Sequence, residues 1–214
     1  MAPGVRGAAE VSRAVPRGVG AVALIRLASQ SSRRAALLRQ IGIPFEICPA
    51  DVDERPMRAE PASVYVERLA LAKARHVATA GRVTLGADTA VVLDGEIFGK
   101  PVDMEQGISM LLELAGRTHQ VVTGVAVTDG QRHTVAHVIS HVTFRAVAAA
   151  EALAYWGTGE PRDKSGGSGI QGIGSIFAQS ITGSYSAVVG LPLSETEQML
   201  QGFGVDTWRA RSDG

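Results

Sequence analysis

Apolar residues along this chain recur with two periods, one suited to strands and one to helices. Residues 21–28 are an apolar run interrupted only by Arg26, the pattern of a buried strand. Ser29-Gln30-Ser31-Ser32 then supplies helix N-cap types. Leu37, Leu38 and Ile41 follow at helical spacing until Gly42 and Pro44 end the helix. Residues 45–48 are a short strand candidate, and 51–58 are polar and loop-like. A second helix is predicted over 61–79, with Val66, Leu69, Ala70 and Val77 on one stripe. Strands at 83–93 and 96–98 flank Asp94-Gly95, a strong hairpin signal. Asp103 caps the next helix, Gln106 completes a capping-box-like pattern, and Gly116 stops it. A second hairpin joins 119–128 to 132–144 around Asp129-Gly130. A helix over 148–156, a glycine-rich stretch over 157–174, short strands at 175–179 and 185–189, and a helix over 194–201 complete the chain. There is no internal repeat. Strands alternating with helices, plus two hairpins, predict an α/β protein: a mixed twisted sheet with flanking helices.

The length of 214 residues suits one domain, or one domain in two lobes. The expected division is a disordered extension over 1–20, a single domain over 21–204 and a loose tail over 205–214. Residues 1–20 carry Arg6, Arg13 and Arg17 against one acid, Glu10, a pattern a transit peptide or an early start codon would share. Basic and acidic residues balance at 21 each, which argues against a nucleic-acid coat or an anionic-membrane binder. No apolar run is long enough to cross a bilayer. Cys48 is the sole cysteine, so an intramolecular disulfide framework and a cysteine-based zinc site are excluded; the expected location is cytoplasmic. Cys48 lies in an apolar strand and reads as core rather than nucleophile.

Five segments carry candidate chemistry. Ser29-Gln30-Ser31-Ser32-Arg33-Arg34 sits at a strand-to-helix junction. A helix N-terminus already has unpaired N–H groups and partial positive charge, so two arginines there are locally unfavourable. A bound anion reverses that sign, since N–H groups, hydroxyls and guanidinium forks all donate to phosphate. The alternative is a serine cap followed by two solvated arginines. Lys73 falls on the apolar stripe of the second helix, and must find a partner or snorkel outward. Asp88 lies inside an apolar strand, which is costly unless the carboxylate is paired, metal-bound or at an open strand end. A two-residue Asp94-Gly95 turn pairs positions whose numbers sum to 189, which sets Lys100 opposite Thr89 and close to Asp88; a structural Asp–Lys pair is the alternative. Asp53-Glu54 is a carboxylate pair in a loop, either solvated or holding Mg²⁺ together with substrate oxygens. The stretch 163–172, which includes Lys164 and Gln171, has backbone N–H groups able to cradle an anion.

Other motifs are discounted. Gly167-x-Gly169-x-x-Gly172 formally matches a dinucleotide fingerprint but lies in a long loop with no convincing strand before it. No Walker loop and no G-x-S-x-G occurs. His133, His137 and His141 are four apart, but their segment alternates like a strand, where such residues are solvated.

Together these segments resemble the Maf family of nucleoside triphosphate pyrophosphatases. The matching pieces are Leu27-Ala28-Ser29-x-Ser31-x-Arg33-Arg34 with Leu37-Leu38, Ile41-Gly42 and Phe45; Asp53-Glu54; Ala70-x-x-Lys73-Ala74; Gly86-Ala87-Asp88-Thr89-x-Val91; Gly99-Lys100-Pro101; residues 159–172; and Tyr185-x-Ala187-Val188-Val189-Gly190-Leu191-Pro192-Leu193. They run in unbroken order over about residues 22–203. The resemblance implies a fold of the inosine-triphosphatase type with a cleft between two lobes, a divalent cation (Mg²⁺ or Mn²⁺) and usually a homodimer. It implies a hydrolase that cleaves a nucleoside triphosphate to the monophosphate and pyrophosphate, with no nucleic-acid polymer or membrane as partner. Asp88 matches the proposed general base. Arg33, Thr89 and Gln171 match positions linked to substrate choice. Ser29, Arg34, Glu54, Lys73 and Lys100 match the polar cleft. The 160–172 segment resembles the branch acting on dTTP and UTP rather than on 7-methyl-GTP.

The expected roles are therefore catalytic for Asp88, Glu54 and Lys100, substrate-binding for Ser29, Arg33, Arg34, Lys73, Thr89, Lys164 and Gln171, and metal-holding for Glu54 and Asp88. Ser32 stands where the family usually has proline, which loses a pre-set helix-start φ but keeps a cap-compatible residue. The rival readings are a nucleotide-sensing division regulator with little catalysis, the 7-methyl-GTP branch, a pyrophosphatase for modified pyrimidine nucleotides, and a phosphohydrolase that releases orthophosphate.

Overall fold

The computed structural model describes residues 24–208; the expected extension over 1–20 lies outside them. Among the described residues, strands β1 (Ile25–Leu27), β2 (Phe45–Ile47), β3 (Thr84–Leu93), β4 (Glu96–Phe98), β5 (Thr118–Thr128), β6 (His133–Phe144) and β7 (Ala178–Thr182) form one mixed sheet. Its order is β2-β1-β3-β5-β6-β7, with β4 on the edge of β3. β1 is parallel to β2 and β3; the remaining pairs are antiparallel. The helices are α1 (Ser32–Gln40), α2 (Ala62–His76), α3 (Met104–Leu114), α4 (Ala149–Gly157), α5 (Tyr185–Val189) and α6 (Leu193–Gly202).

The helix ends follow local chemistry. Ser31 accepts the backbone N–H of Arg34 at the start of α1, and Gly42 ends that turn at φ +68°. Asp103 accepts the N–H of Gln106, whose side chain accepts the N–H of Val102. α2 packs with its backbone almost against the sheet. A Cβ on Gly86 would overlap the carbonyl oxygen of Ala70, and one on Gly124 the carbonyl of Val66. At that contact Val66 packs with Ala90, Val92 and Val122, and Ala70 and Ala74 with Ala126. Two larger apolar cores lie elsewhere on the sheet. One packs Leu37, Leu38 and Leu200 on β1 and the start of β3; the other packs Leu111, Leu114, Tyr155 and Phe177 on the far ends of β3, β5 and β6.

The β3–β4 register is Val91↔Phe98 through Leu93↔Glu96, summing to 189 as the turn demands. The ladder stops at Phe98, so Lys100 is not paired opposite Thr89. This leaves β3 with a gap on one edge. β1 pairs it at Thr84 and Leu85, β4 resumes at Val91, and residues 86–90 have no strand partner there. The gap lies just beyond the carboxyl end of β1, the place where open α/β sheets form ligand crevices.

Several expected elements differ. Residues 173–177 are a 3₁₀ turn, and the strand there is β7, shifted to 178–182. Residues 185–189 are helical rather than extended, because Ser184 caps the Ala187 N–H and Gly190 ends the segment at φ +129°. β-branched valines read as strand where the cap decides otherwise. Of the expected tail over 205–214, residues 209–214 lie outside the described residues; before them Val205 and Thr207 are buried, and Thr207 donates to Glu197 over 2.6 Å. Cys48 is only half-buried, at the end of the edge strand β2, and is not core.

Candidate active site

A cavity of about 1250 Å³ opens through the gap in β3. It is lined by Ser29, Arg33, Arg34, Glu54, Lys73, Asp88, Thr89, Lys100, Lys164 and Gln171, so all ten expected residues meet in one place. Its wall holds six Lys and Arg side chains against four carboxylates among the described residues, a local positive excess on a chain of zero net charge.

Asp88 and Thr89 are consecutive on β3 and project from opposite faces of the sheet. On the α2 face, Lys73 donates to Asp88 Oδ1 over 2.6 Å and stands 2.6 Å from Glu54 Oε1. Lys73 is therefore turned inward between two carboxylates rather than snorkelling, and both it and Asp88 are 7% exposed. Lys100 lies 3.9 Å from Glu54 Oε2, so its carboxylate neighbour is Glu54 and not Asp88. Burial pushes the Glu54 carboxyl up, but the hydrogen bond and charge of Lys73, then the charges of Lys100 and Arg34, hold it below the ordinary value.

On the other face, Arg34 donates to Gly190 O (2.8 Å), Ser29 Oγ (3.2 Å) and Thr89 Oγ1 (3.2 Å). It thus ties α1 to β3 and to the end of α5 while leaving two of a guanidinium's five donors uncommitted. Burial draws its pKa down, against the pull of Asp88. Thr123 donates to Ala187 O over 2.8 Å, and its Oγ1 stands 3.0 Å from Thr89 Oγ1, close enough to accept the Thr89 hydroxyl proton. The N-terminal turn of α1 faces the cavity with Ser31, Ser32 and Arg33. Arg33 reaches across to Asp163 Oδ2 at 3.3 Å, while Lys164 donates to Asp163 Oδ1 (2.8 Å) and Glu160 O (2.6 Å). Gln171 is exposed at the rim. Asp53, the other half of the expected carboxylate pair, is turned to Arg55 and does not line the cavity.

Four further residues shape the site, none of them assigned a role by the sequence pattern. The Tyr65 hydroxyl donates to Glu54 O over 2.9 Å and fixes that loop; burial and then the charges of Asp88 and Glu54 push its pKa up to about 12. Its signal was the spacing 65, 69, 73, one face of α2. Glu160 accepts from the Tyr155 hydroxyl and from the N–H groups of Ile173 and Gly174, and so holds the glycine-rich loop folded. Asp163 bridges the two walls. His119 lines the cavity from β5. Glu160 and Asp163 fall in the 160–172 segment without a role of their own there, and nothing local in the sequence marks His119.

Paired carboxylates beneath a positively lined, strand-end crevice define an α/β protein with a cleft built for a polyanion. The family described as Maf-like protein matches residues 24–203, and the chain belongs to the Maf family. It is 47% identical over 189 residues to a dTTP/UTP pyrophosphatase of Saccharophagus degradans, spanning 86% of this chain and 90% of that one. It is 49% identical over 180 residues to a dTTP/UTP pyrophosphatase of Symbiobacterium thermophilum, spanning 83% and 93%. Among solved structures, a HAM1 protein from Coxiella burnetii overlaps 57% of this chain and 73% of its own at 19% identity, with a TM-score of 0.43.

Proposed function

We infer that this protein hydrolyses dTTP and UTP to the nucleoside monophosphate and pyrophosphate. The observation that carries this reading is the convergence of Asp88 and Glu54 on one buried ammonium, Lys73, within a cavity lined by Arg33, Arg34, Lys100 and Lys164. The names of the relatives supply the substrate class.

The cationic wall and the N-terminal turn of α1 neutralise the triphosphate. Asp88 takes a proton from a water that attacks the α-phosphorus. The bond from that phosphorus to the bridging oxygen breaks, and pyrophosphate leaves with the electron pair. Lys73, 2.6 Å from the carboxylate, holds Asp88 in position before the attack. Positioning and charge stabilisation supply most of the rate in such reactions. Gln171, whose amide both donates and accepts, matches the N3–H and carbonyl edge of uracil or thymine.

The donor set fits a divalent cation. Glu54 and Asp88 are hard oxygen ligands, and among the described residues no third carboxylate or histidine joins them, so phosphate oxygens and water would complete the shell. Mg²⁺ or Mn²⁺ bound there would offset charge on the leaving pyrophosphate. A cytoplasmic homodimer belongs to the same proposal.

The test is a turnover panel of dTTP, UTP, CTP, ATP, GTP and 7-methyl-GTP with Mg²⁺ or Mn²⁺, products separated by chromatography. Pyrophosphate with dTMP and UMP, ahead of all other bases, is the expected result. Orthophosphate with a diphosphate product, preference for 7-methyl-GTP, or tight binding without turnover overturns the reading.

A further inference from the structure

The cavity continues along the Thr89 face of the sheet into an apolar chamber walled by Val91, Val121, Val142, Phe144 and Val188. One polar side chain stands in that wall. His119 is 3% exposed, its Nδ1 is sealed with no hydrogen-bond partner, and its ring packs edge-on against Phe144 at 4.7 Å between centroids. A buried imidazole in an apolar wall is costly unless something satisfies it. Nothing charged offsets that burial, which draws its pKa down to about 4 and keeps the ring neutral. A neutral imidazole has one donor nitrogen and one acceptor. An orphaned buried N–H is rarer and more costly than an orphaned acceptor, so the proton belongs on Nε2 and the sealed Nδ1 carries the lone pair. Nε2–H is then a donor facing the chamber with no protein acceptor.

The chamber lies where a nucleoside would reach. Thr89 pairs with Thr123, and His119 is four residues before Thr123 on the same face of β5, roughly 13 Å along the strand. A nucleotide whose phosphates cross the gap in β3 beside Arg34 and Thr89 would extend along this face. Apolar walls with one fixed donor are what a flat, carbonyl-bearing ring requires.

We propose that this chamber seats the pyrimidine base, and that His119 Nε2–H donates to one of its ring carbonyls. This rests on the pyrimidine triphosphate reading above. The donor orients the base and discriminates against a ring atom that accepts poorly.

The test compares kcat/KM for UTP, 2-thio-UTP and 4-thio-UTP, since sulfur accepts more weakly than oxygen. In the unmodified enzyme one thio substrate falls about tenfold below UTP. His119→Leu erases that ratio and His119→Gln, which retains a donor, restores most of it. Either carbonyl's ratio collapsing supports the proposal and names the contact; both ratios staying as in the unmodified enzyme overturn it. If the unmodified enzyme does not release pyrophosphate from UTP at all, the broader reading fails instead. A second measurement needs no variant. In ¹⁵N-histidine-labelled protein, UMP shifts the Nε2 resonance of His119 and inorganic pyrophosphate does not. No shift at saturating UMP overturns the proposal even if the substituted chains do not fold.

Discussion

Lys73 on α2 and Asp88 on β3 meet at 2.6 Å because two glycines let the helix settle onto the sheet. The ion pair is thus a product of backbone packing as much as of charge. Asp88→Asn keeps the shape, and Lys73 retains Glu54 as its partner. Turnover should fall by about 10²–10⁴-fold while nucleotide binding persists. Steady-state kinetics beside calorimetric titration of a nucleotide checks this. Near-normal turnover would remove Asp88 from the role of base.

Removing the cation is the harsher change. Lys73→Met leaves Asp88 enclosed with no cation in contact, and Glu54 with only the more distant charges of Lys100 and Arg34. Breaking a buried pair from one side costs about 3–5 kcal/mol. In urea unfolding, the Lys73→Met/Asp88→Asn double substitution should be more stable than Lys73→Met alone. Equal or lower stability would mean that Asp88 is well solvated without Lys73.

Gly86 should tolerate no side chain. Its missing Cβ faces backbone atoms of Ala70 and Ala74, which cannot rotate aside. Gly86→Ala pushes α2 off the sheet, costs at least about 2 kcal/mol, and lowers kcat by displacing Lys73 from Asp88. Gly95→Ala, at a turn with open space around it, strains its φ of +86° but should leave kcat unchanged. Matched kcat losses at the two positions would refute the packing argument.

What the sequence made legible follows from the range of the interactions. Asp94-Gly95 and the apolar runs around it fix the β3–β4 register locally, and that register is observed. Lys73 on an apolar stripe and Asp88 in an apolar strand each announced a missing partner, but neither named the other, since 15 residues and a helix-to-sheet contact separate them. The same limit sent Lys100 toward Asp88 in the sequence reading and not toward Glu54. The valines of 185–189 suggest a strand, but β-branching is a weak signal and the Ser184 cap outweighs it. The 160–172 segment stands out in the sequence, but the roles of Asp163 and Glu160 do not, because their partners, Arg33 and the Ile173 and Gly174 N–H groups, lie across a loop whose path no periodicity encodes.

That loop provides a separate test. Glu160 accepts from three donors at once, so Glu160→Gln sets an NH₂ against at least one N–H. The loop carries Gln171 and Lys164 but not Asp88. KM should therefore rise up to about tenfold with kcat changed by less than about twofold. A loss confined to kcat would place Glu160 in the chemistry rather than in holding the loop.

The last prediction concerns acid. His119 titrates near 4 in the folded chain against an ordinary value of 6.5, and burial is the cause. Above pH 6.5 it is neutral folded or unfolded, and contributes no pH dependence. Between 6.5 and 4 the unfolded chain binds a proton that the folded chain does not, so stability falls as pH falls; below 4 the loss is complete. Lowering pH from 7 to 5 should cost the protein about 2 kcal/mol through this one group. His119→Leu lacks the group, while the remaining histidines and the carboxyls are common to both proteins and cancel in the comparison. Urea unfolding at pH 7 and pH 5 should show the unmodified chain losing about 2 kcal/mol more than His119→Leu over that interval. Parallel losses in the two proteins would mean that burial does not hold the folded imidazole neutral, and would remove the argument that places its one proton on Nε2.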